Sequence, residues 1–504
     1  MKKPVVILFT ITNSDSIHTL GIYNLKAYAL KHYPHSPKPN ILIKIVKAKN
    51  TQYNKRAYFF QMTPREIRQI AKSLISKNPQ VIGFSCWLGN SDVMRQIAHE
   101  IKMQKKDIKL IFGGTETYHN FFFDRKDAME KEIGIDVITR YDGEGVFLEL
   151  LEAYLSDKRK VEDIKGISYR KNGQVIINEE RTPMVLNDIP SPYVEGIFKI
   201  RKNTKEALVE NSRGCPYRCS YCSFNAGNWA YCRYLPYQRL ESELKFLLKK
   251  RLKFITLLDS NFNVNTNRSK DILKLIVKYN KHKIDTGVFY NASRQAIDEE
   301  MALLFQKSGI TLNIGVQSIN PMALKAANRQ TDISILEQNL RLLDKYKVKY
   351  ALEFIYGLPE DTYLTTKQVI NWVFRFNATN VYFYRLCVLK GTPYFTQAKQ
   401  YDLHYEKTPP YYILKTHKLS PTEINKLGPL LDLVSMYYHN LMLRKLIYQI
   451  NALFHLDFIT IFEQLILCYK APNRKQWSQK YIIEVSRKYF DSLFKKKSLH
   501  ALTK

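Results

Sequence analysis

Ser212-Arg213-Gly214-Cys215-Pro216-Tyr217-Arg218-Cys219-Ser220-Tyr221-Cys222 gathers three cysteines in one short loop with the spacing C-x-x-x-C-x-x-C. Thiolates this close can converge on one metal centre. A closed structural zinc site or an electron-transfer iron–sulfur cluster takes four protein ligands. A [4Fe–4S] cluster held by three cysteines keeps one iron open to a small molecule. A zinc ion with a remote fourth ligand is the competing reading, and three unrelated structural cysteines the plain one.

The chain around the loop reads as β–α repeats. A strand over 206–210 delivers the cysteines, and strands over 254–258, 286–290, 311–315, 351–356 and 381–386 follow it. Helical patterns over 269–279, 298–306, 336–346 and 365–376 lie between them. This predicts a partial (β/α)6 TIM-type barrel over 206–395, with its chemistry at the carboxyl ends of the strands.

Residues 1–155 alternate in the same way. Strands are expected at 4–11, 41–46, 80–85, 108–112 and 136–139, and helices at 20–31, 63–76, 91–103 and 146–155. Thr63 and Glu66 have the spacing of a capping box. The pattern predicts a doubly wound, Rossmann-like (flavodoxin-like) parallel sheet, which binds ligands at its strand ends. Residues 156–205 read as a connector holding a small hairpin, 166–169 with 175–178, around Asn172-Gly173. Residues 396–504 lose the strand signal, and their apolar periodicity predicts a helical domain capping the barrel mouth.

Composition bounds the rest. The chain has 504 residues, enough for two or three domains. Seven cysteines are too few for a disulfide scaffold of this size, which points to a reducing, cytoplasmic setting. The apolar run near the start is short and lacks a small-residue cleavage site, so it reads as a strand and not a signal peptide. No run reaches the ~18 apolar residues of a membrane helix. Lys+Arg number 78 against 46 Asp+Glu, a net charge of +32 that would suit an acidic partner such as RNA. The lysines are scattered among Ile, Asn and Tyr, so compositional drift is the favoured reading over a nucleic-acid surface.

Cys215, Cys219 and Cys222, with the aromatic Tyr221 before the last, resemble the signature of the radical S-adenosylmethionine (SAM) enzymes. Residues 1–155 resemble the cobalamin (B12)-binding domain that precedes the barrel in one large class of them. The resemblance implies a [4Fe–4S] cluster on the three cysteines, SAM on its open iron, and cobalamin on the first domain. It places Asp259 at the SAM amino group, Ser293 and Arg294 near the SAM carboxylate, Gln317 in the cavity, and Gly357 against adenine. Gly113 and Gly114 match the glycine loop beside the nucleotide tail, and Gly143 and Glu144 match the family's G-E-G-E. Asp15-Ser-Ile-His18-Thr-Leu-Gly21 is similar to the D-x-H-x-x-G of B12 domains, with one extra residue before the histidine. His18 is therefore read first as a contact at the corrin edge, with a cobalt–His18 bond the alternative left open. Ser85 and Trp87 complete the implied cobalamin surface.

The implied activity is methyl transfer to an unactivated carbon of a small molecule or peptide. An external one-electron donor such as a flavodoxin or ferredoxin would serve it. A B12-dependent cyclisation or rearrangement stands beside it. So does an epimerase with Cys232 or Cys387 as hydrogen-atom donor, although both thiols also suit small buried positions. A basic RNA-associated protein with a structural cluster is the reading of another class.

Overall fold

Strand β1 (Val5–Thr12) is buried along nearly its whole length, which requires a sheet covered on both faces. The computed structural model describes residues 3–13, 19–47, 53–54, 59–118, 129–130, 134–140, 142–225, 231–469 and 479–502. β1 pairs in parallel with β2 (Asn40–Lys47) on one side and β3 (Val81–Ser85) on the other. β4 (Lys109–Gly113) and β5 (Val137–Thr139) continue in parallel. Helices α1 (Leu20–His32), α2 (Pro64–Ile75), α3 (Ser91–Gln104) and α4 (Gly143–Leu155) wrap the sheet. Ile22, Ala29, Val146 and Leu150 of α1 and α4 pack on Val6 and Leu8. Ile67 and Ala71 of α2, with Val93 and Ile97 of α3, pack on Ile7 and Phe9 from the other side. The doubly wound expectation holds, and both bonds of the Thr63–Glu66 capping box form.

The hairpin read as a connector belongs to this sheet. β6 (Ile167–Lys171) pairs antiparallel with β5, and β7 (Gln174–Ile177) with β6, giving seven strands. Short strands with a tight turn signal their hairpin but not the edge they join. A second difference lies at α4, which starts at Gly143, so the Gly-Glu-Gly segment is its first turn and not a loop.

β8 (Glu206–Glu210) opens the second sheet. β9 (Ser212–Arg213) and β10 (Arg233–Tyr234) form a small antiparallel clip around the cysteine loop. β11 (Phe254–Leu258), β12 (Asp285–Tyr290), β13 (Ile310–Gln317), β14 (Lys349–Tyr356) and β15 (Asn380–Arg385) follow β8 in parallel and in chain order, as a partial barrel. Helices α5 (Tyr237–Leu248), α6 (Thr266–Tyr279), α7 (Glu299–Ser308), α8 (Ile333–Lys345) and α9 (Tyr363–Val373) surround it.

The last region is helical, as expected: α10 (Pro421–His439), α11 (Leu441–Phe454), α12 (Phe458–Leu467) and α13 (Gln479–Leu502). Its position differs from a cap on the mouth. α10 lies along β15, where Ser435 Oγ donates to the Val381 carbonyl at 2.6 Å. Tyr438 OH donates to the Phe376 carbonyl, also at 2.6 Å. An incomplete barrel leaves a strand edge with unpaired backbone, and this helix covers it. Tyr437 and Tyr438 are fully buried there. Among the described residues no single helix is long and apolar enough to cross a membrane.

Candidate active site

The cysteine loop leaves the carboxyl end of β8 and is pinned at several points. Gly214 has φ +94°, and a Cβ there would lie 2.3 Å from the Tyr231 carbonyl oxygen, so only glycine makes this turn. Ser220 N donates to Ala327 O at 2.8 Å, Asn328 Nδ2 to Arg218 O at 2.8 Å, and Tyr394 N to Ser220 O at 3.1 Å. Cys215 and Cys219 are buried and Cys222 half-buried. Burial pushes the Cys222 thiol up to about 12, and the neighbouring Cys219 and Cys215 add to it. Among the described residues no three His, Cys, Asp or Glu side chains converge on a single-ion site.

Asp259 Oδ2, Asn261 Nδ2, Arg329 Nε and Tyr394 OH are buried polar atoms without partners on residues in and around this loop, and the first three bear on charge recognition. Asp259, at the end of β11, is 4% exposed. Its Oδ1 accepts from Asn211 Nδ2 at 2.8 Å and from Ser212 Oγ, while its Oδ2 has no partner. Burial raises its carboxyl to about 6, against the hydrogen bonds that lower it. Asn261 Nδ2 is likewise buried and unpaired, with its Oδ1 taken by Asn291 N. Arg329, which the sequence reading missed, lies beside Cys219, with Nη1 3.9 Å from Sγ and 3.3 Å from Tyr221 OH. Its Nη2 donates to the Gly315 carbonyl, and its Nε is buried without a partner. One acceptor and two donors left open suit the ammonium and carboxylate of an amino acid.

Other expected SAM contacts have different surroundings. Ser293 Oγ bonds to Asn291 Oδ1 at 2.8 Å within its own turn. The Arg294 guanidinium stacks on Tyr217 of the cysteine loop, 4.2 Å from the ring centre. Gly357 has φ +85°, and a Cβ there would meet Ile413 Cγ2 at 2.6 Å. The position a Cβ would take is thus filled by a residue far downstream, which strand-end position alone could not reveal. Gln317 holds φ +73°, beside a register shift in β13, an uncommon conformation for a non-glycine residue. Of the two candidate hydrogen donors, Cys232 Sγ bonds to Gly214 O at 3.5 Å and burial raises it to about 11. Cys387 Sγ bonds to Arg385 O at 3.7 Å and burial raises it to about 12.

In the first domain the strand order reverses between β1 and β3, where a doubly wound sheet opens a crevice, and Ser85 ends β3 there. His18 lies outside the described residues. Gly21, in the first turn of α1, has nothing within 4 Å of its Cβ position. Gly114 has φ +109°, and a Cβ there would lie 2.4 Å from Cys86 O; one on Gly113 would lie 2.7 Å from Thr139 Oγ1. Both glycines are therefore demanded by the domain's own packing. The Ser85 carbonyl accepts from Asn90 Nδ2 at 3.1 Å, and Trp87 packs edge-on against Phe60. Glu116, on the turn after the glycines, is 1% exposed with Oε1 unpaired, and burial raises it to about 8. Nothing in the local sequence marks it.

Gly143 and Glu144 sit among protein partners from both domains. Glu144 accepts from Arg213 of the cysteine clip through both oxygens, at 2.9 and 2.6 Å. Arg213 also bonds Asp142 at 3.1 Å and Glu210 at 2.9 Å, and Arg233 reaches Asp142 at 2.6 Å. Burial works to raise Asp142, but Arg233 and Arg213 outweigh it and hold the carboxyl below its usual range. Asn24 of α1 adds a bond to Glu210 at 3.4 Å. Gly143 packs its bare side against Leu25. The Gly-Glu-Gly turn is thus a clamp between the two domains, its carboxylate occupied by protein.

Residues 209–373 match the radical SAM superfamily, 34–151 the B12 binding domain, and 399–500 a protein family of unknown function, DUF4080. The cobalamin-dependent radical SAM methyltransferase TokK of Streptomyces tokunonensis is 25% identical over 407 residues, 74% of this chain and 57% of that protein. An anaerobic magnesium-protoporphyrin IX monomethyl ester cyclase of Rubrivivax gelatinosus is 24% identical over 320 residues, 60% of this chain and 55% of that one. The chain spans less than two thirds of the length of these relatives. The cobalamin-dependent radical enzyme OxsB, solved with aqua-cobalamin and SAM bound, superposes with a TM-score of 0.66. That match is 17% identical and covers 100% of this chain and 80% of the other, a likeness of fold.

Proposed function

Because the chain belongs to the radical SAM superfamily and carries a B12-binding domain ahead of its barrel, we propose that it is a cobalamin-dependent radical SAM C-methyltransferase. The supporting observation is the set of open polar atoms beside the cysteine loop: Asp259 Oδ2, Asn261 Nδ2 and Arg329 Nε. When bound, the cluster, SAM and cobalamin supply the radical and methyl-transfer chemistry. Cys215, Cys219 and Cys222 hold the cluster. Asp259 Oδ2 accepts from the ammonium of SAM, and Arg329 and Asn261 donate to its carboxylate. Arg329 also keeps a positive charge beside Cys219, and Gln317 projects from the end of β13 into the cavity. The crevice between β1 and β3, with Gly21 open at its edge and the unpaired oxygen of Glu116 nearby, takes the corrin. The barrel lumen holds the substrate away from water.

The test is anaerobic. The full chain is reconstituted with iron, sulfide and cobalamin and given SAM and a reductant. Both 5′-deoxyadenosine and S-adenosylhomocysteine are expected, with an external one-electron carrier in a reducing cytoplasm as the natural donor. Cys219→Ala abolishes both products and the cluster's visible absorption. A fully loaded wild-type cluster that yields neither product overturns the proposal. The cyclase relative supports a second reading, rearrangement without methyl transfer. Its mark is 5′-deoxyadenosine without S-adenosylhomocysteine.

A further inference from the structure

Glu353 sits midway along β14, and the faces of that strand are well defined. Tyr350 OH bonds to Asp344 of α8 at 2.8 Å, Leu352 is fully buried, and Phe354 packs edge-on against Trp372 of α9. These three face the helices, so Glu353, between Leu352 and Phe354, faces the lumen. Its neighbours in register are Gly315 on β13 and Tyr382 on β15. Tyr382 and Tyr384 share the lumen side, because Phe383 between them stacks outward on Phe354. On β12, Tyr290 packs against Phe305 of α7, so Phe289 also turns inward. Phe289 and Tyr384 are each 43% exposed, large for aromatic rings inside a barrel.

Glu353 makes no hydrogen bond and no ion pair, and burial alone pushes its carboxyl up to about 7. A carboxyl with a structural role in this fold is bonded instead. Asp361, also buried, accepts from Ser318 at 3.2 Å, Asn320 at 3.1 Å and Thr365 at 3.3 Å. Glu353 is half-buried and its oxygens stay open to the lumen, so a ligand entering there can pair with a carboxylate that no protein group holds.

We propose that Glu353 recognises a positively charged nitrogen on the substrate, an alkylammonium or guanidinium group, held between its carboxylate and the rings of Phe289, Tyr382 and Tyr384. The proposal rests on the reading of the lumen as the substrate chamber. Charge pairing sets the sign of the ligand, and aromatic faces favour a cation over a neutral group of the same shape. A Cβ on Gly315 would lie 2.5 Å from Gln317 Nε2 and 3.6 Å from Arg329 Nη2, so protein closes that side of Glu353 and the head group has to approach from the side of Tyr382.

The test compares benzylamine, benzyl alcohol and benzoate as probes on the full-length, cluster-loaded chain. Binding is read by ligand-observed NMR at pH 8.5, above the titration of Glu353. Benzylamine should bind about tenfold more tightly than benzyl alcohol, and benzoate not at all. Glu353→Gln should erase the difference, and Glu353→Asp should retain part of it. Equal binding of amine and alcohol, or a preference that survives Glu353→Gln, overturns the inference. Should Glu353→Gln fold poorly, Phe289→Leu gives the second reading: the amine's advantage should shrink several-fold, and an unchanged advantage counts against the proposal. Wild-type 5′-deoxyadenosine formation is scored separately. Cleavage of SAM without charge preference sinks this inference alone, and charge preference without cleavage sinks the enzyme reading.

Discussion

The two domains use their motifs in opposite ways. In the barrel, residues around the cysteine loop hold polar atoms open: Asp259 Oδ2, Asn261 Nδ2 and Arg329 Nε are buried and unbonded. In the first domain the recognisable residues are mostly satisfied by protein. Gly113 and Gly114 make room for Thr139 and Cys86, and Glu144 is held by Arg213. A buried atom without a partner stores a demand for a ligand, whereas a glycine against backbone stores only packing. Substitutions should therefore cost binding in the barrel and folding in the first domain, with the interdomain clamp costing most.

Arg213→Ala is the largest expected effect. It leaves Glu144, Asp142 and Glu210 around an emptied site with only Arg233 to answer them. Breaking a buried ion pair from one side costs about 3–5 kcal/mol. Thermal unfolding of the variant should drop sharply or split into two transitions, as the cysteine clip and the first domain separate. Cluster loading should fall with it. A variant of wild-type stability would break the comparison, because it would leave Glu144 free to serve a ligand.

The barrel side is sharpened by Asp259→Asn. The amide keeps the shape, and a carboxyl raised to about 6 carries a folding penalty once ionised. The sign follows from linkage. The folded state holds its proton more tightly than the unfolded one, so the wild type loses stability as pH rises from about 4 to 6. The variant should lack that loss and be at least as stable at pH 7. SAM affinity should behave in reverse. The ammonium needs the ionised carboxylate, so wild-type affinity should rise about tenfold per unit below pH 6 and level off above it. Equilibrium binding of SAM to the loaded chain, measured from pH 5 to 7, should show that slope vanish in Asp259→Asn, with affinity lowered about tenfold or more. Equal slopes in both proteins would remove Asp259 from the site.

How much of this was legible in the sequence follows the same division. Cysteine spacing is covalent and local, so Cys215, Cys219 and Cys222 could be read directly. Asp259 could be read because a strand end fixes its position. Arg329 follows a short helix, Pro321–Ala326, and no spacing rule ties it to Cys219, which lies on another strand's loop. Gly357 was legible as a special backbone position, yet its reason, Ile413, lies in the short strand Ile413–Lys415 far downstream of it. Glu144 was matched to a motif, but its partner Arg213 lies in the other domain. Residues whose role is set by a distant partner carry no local signal. Glu353 is such a case too, since only the strand register shows which way it faces.

The finest test of the comparison lies inside the first domain, between two glycines. Gly114→Ala forces φ +109° on a residue with a Cβ and drives that atom to 2.4 Å from Cys86 O. It should cost about 1–3 kcal/mol of stability whether or not cobalamin is added. Gly21 is the opposite case. It lies in helix α1 with nothing within 4 Å of its Cβ position, so alanine meets no atom of the protein. By helix propensity Gly21→Ala should stabilise the chain by at most about 1 kcal/mol. If the space beside Gly21 is where the corrin lies, the same methyl group should lower cobalamin retention after gel filtration while unfolding shifts upward. A gain in stability with retention unchanged would move the corrin away from α1 and leave the first domain's satisfied motifs as packing alone.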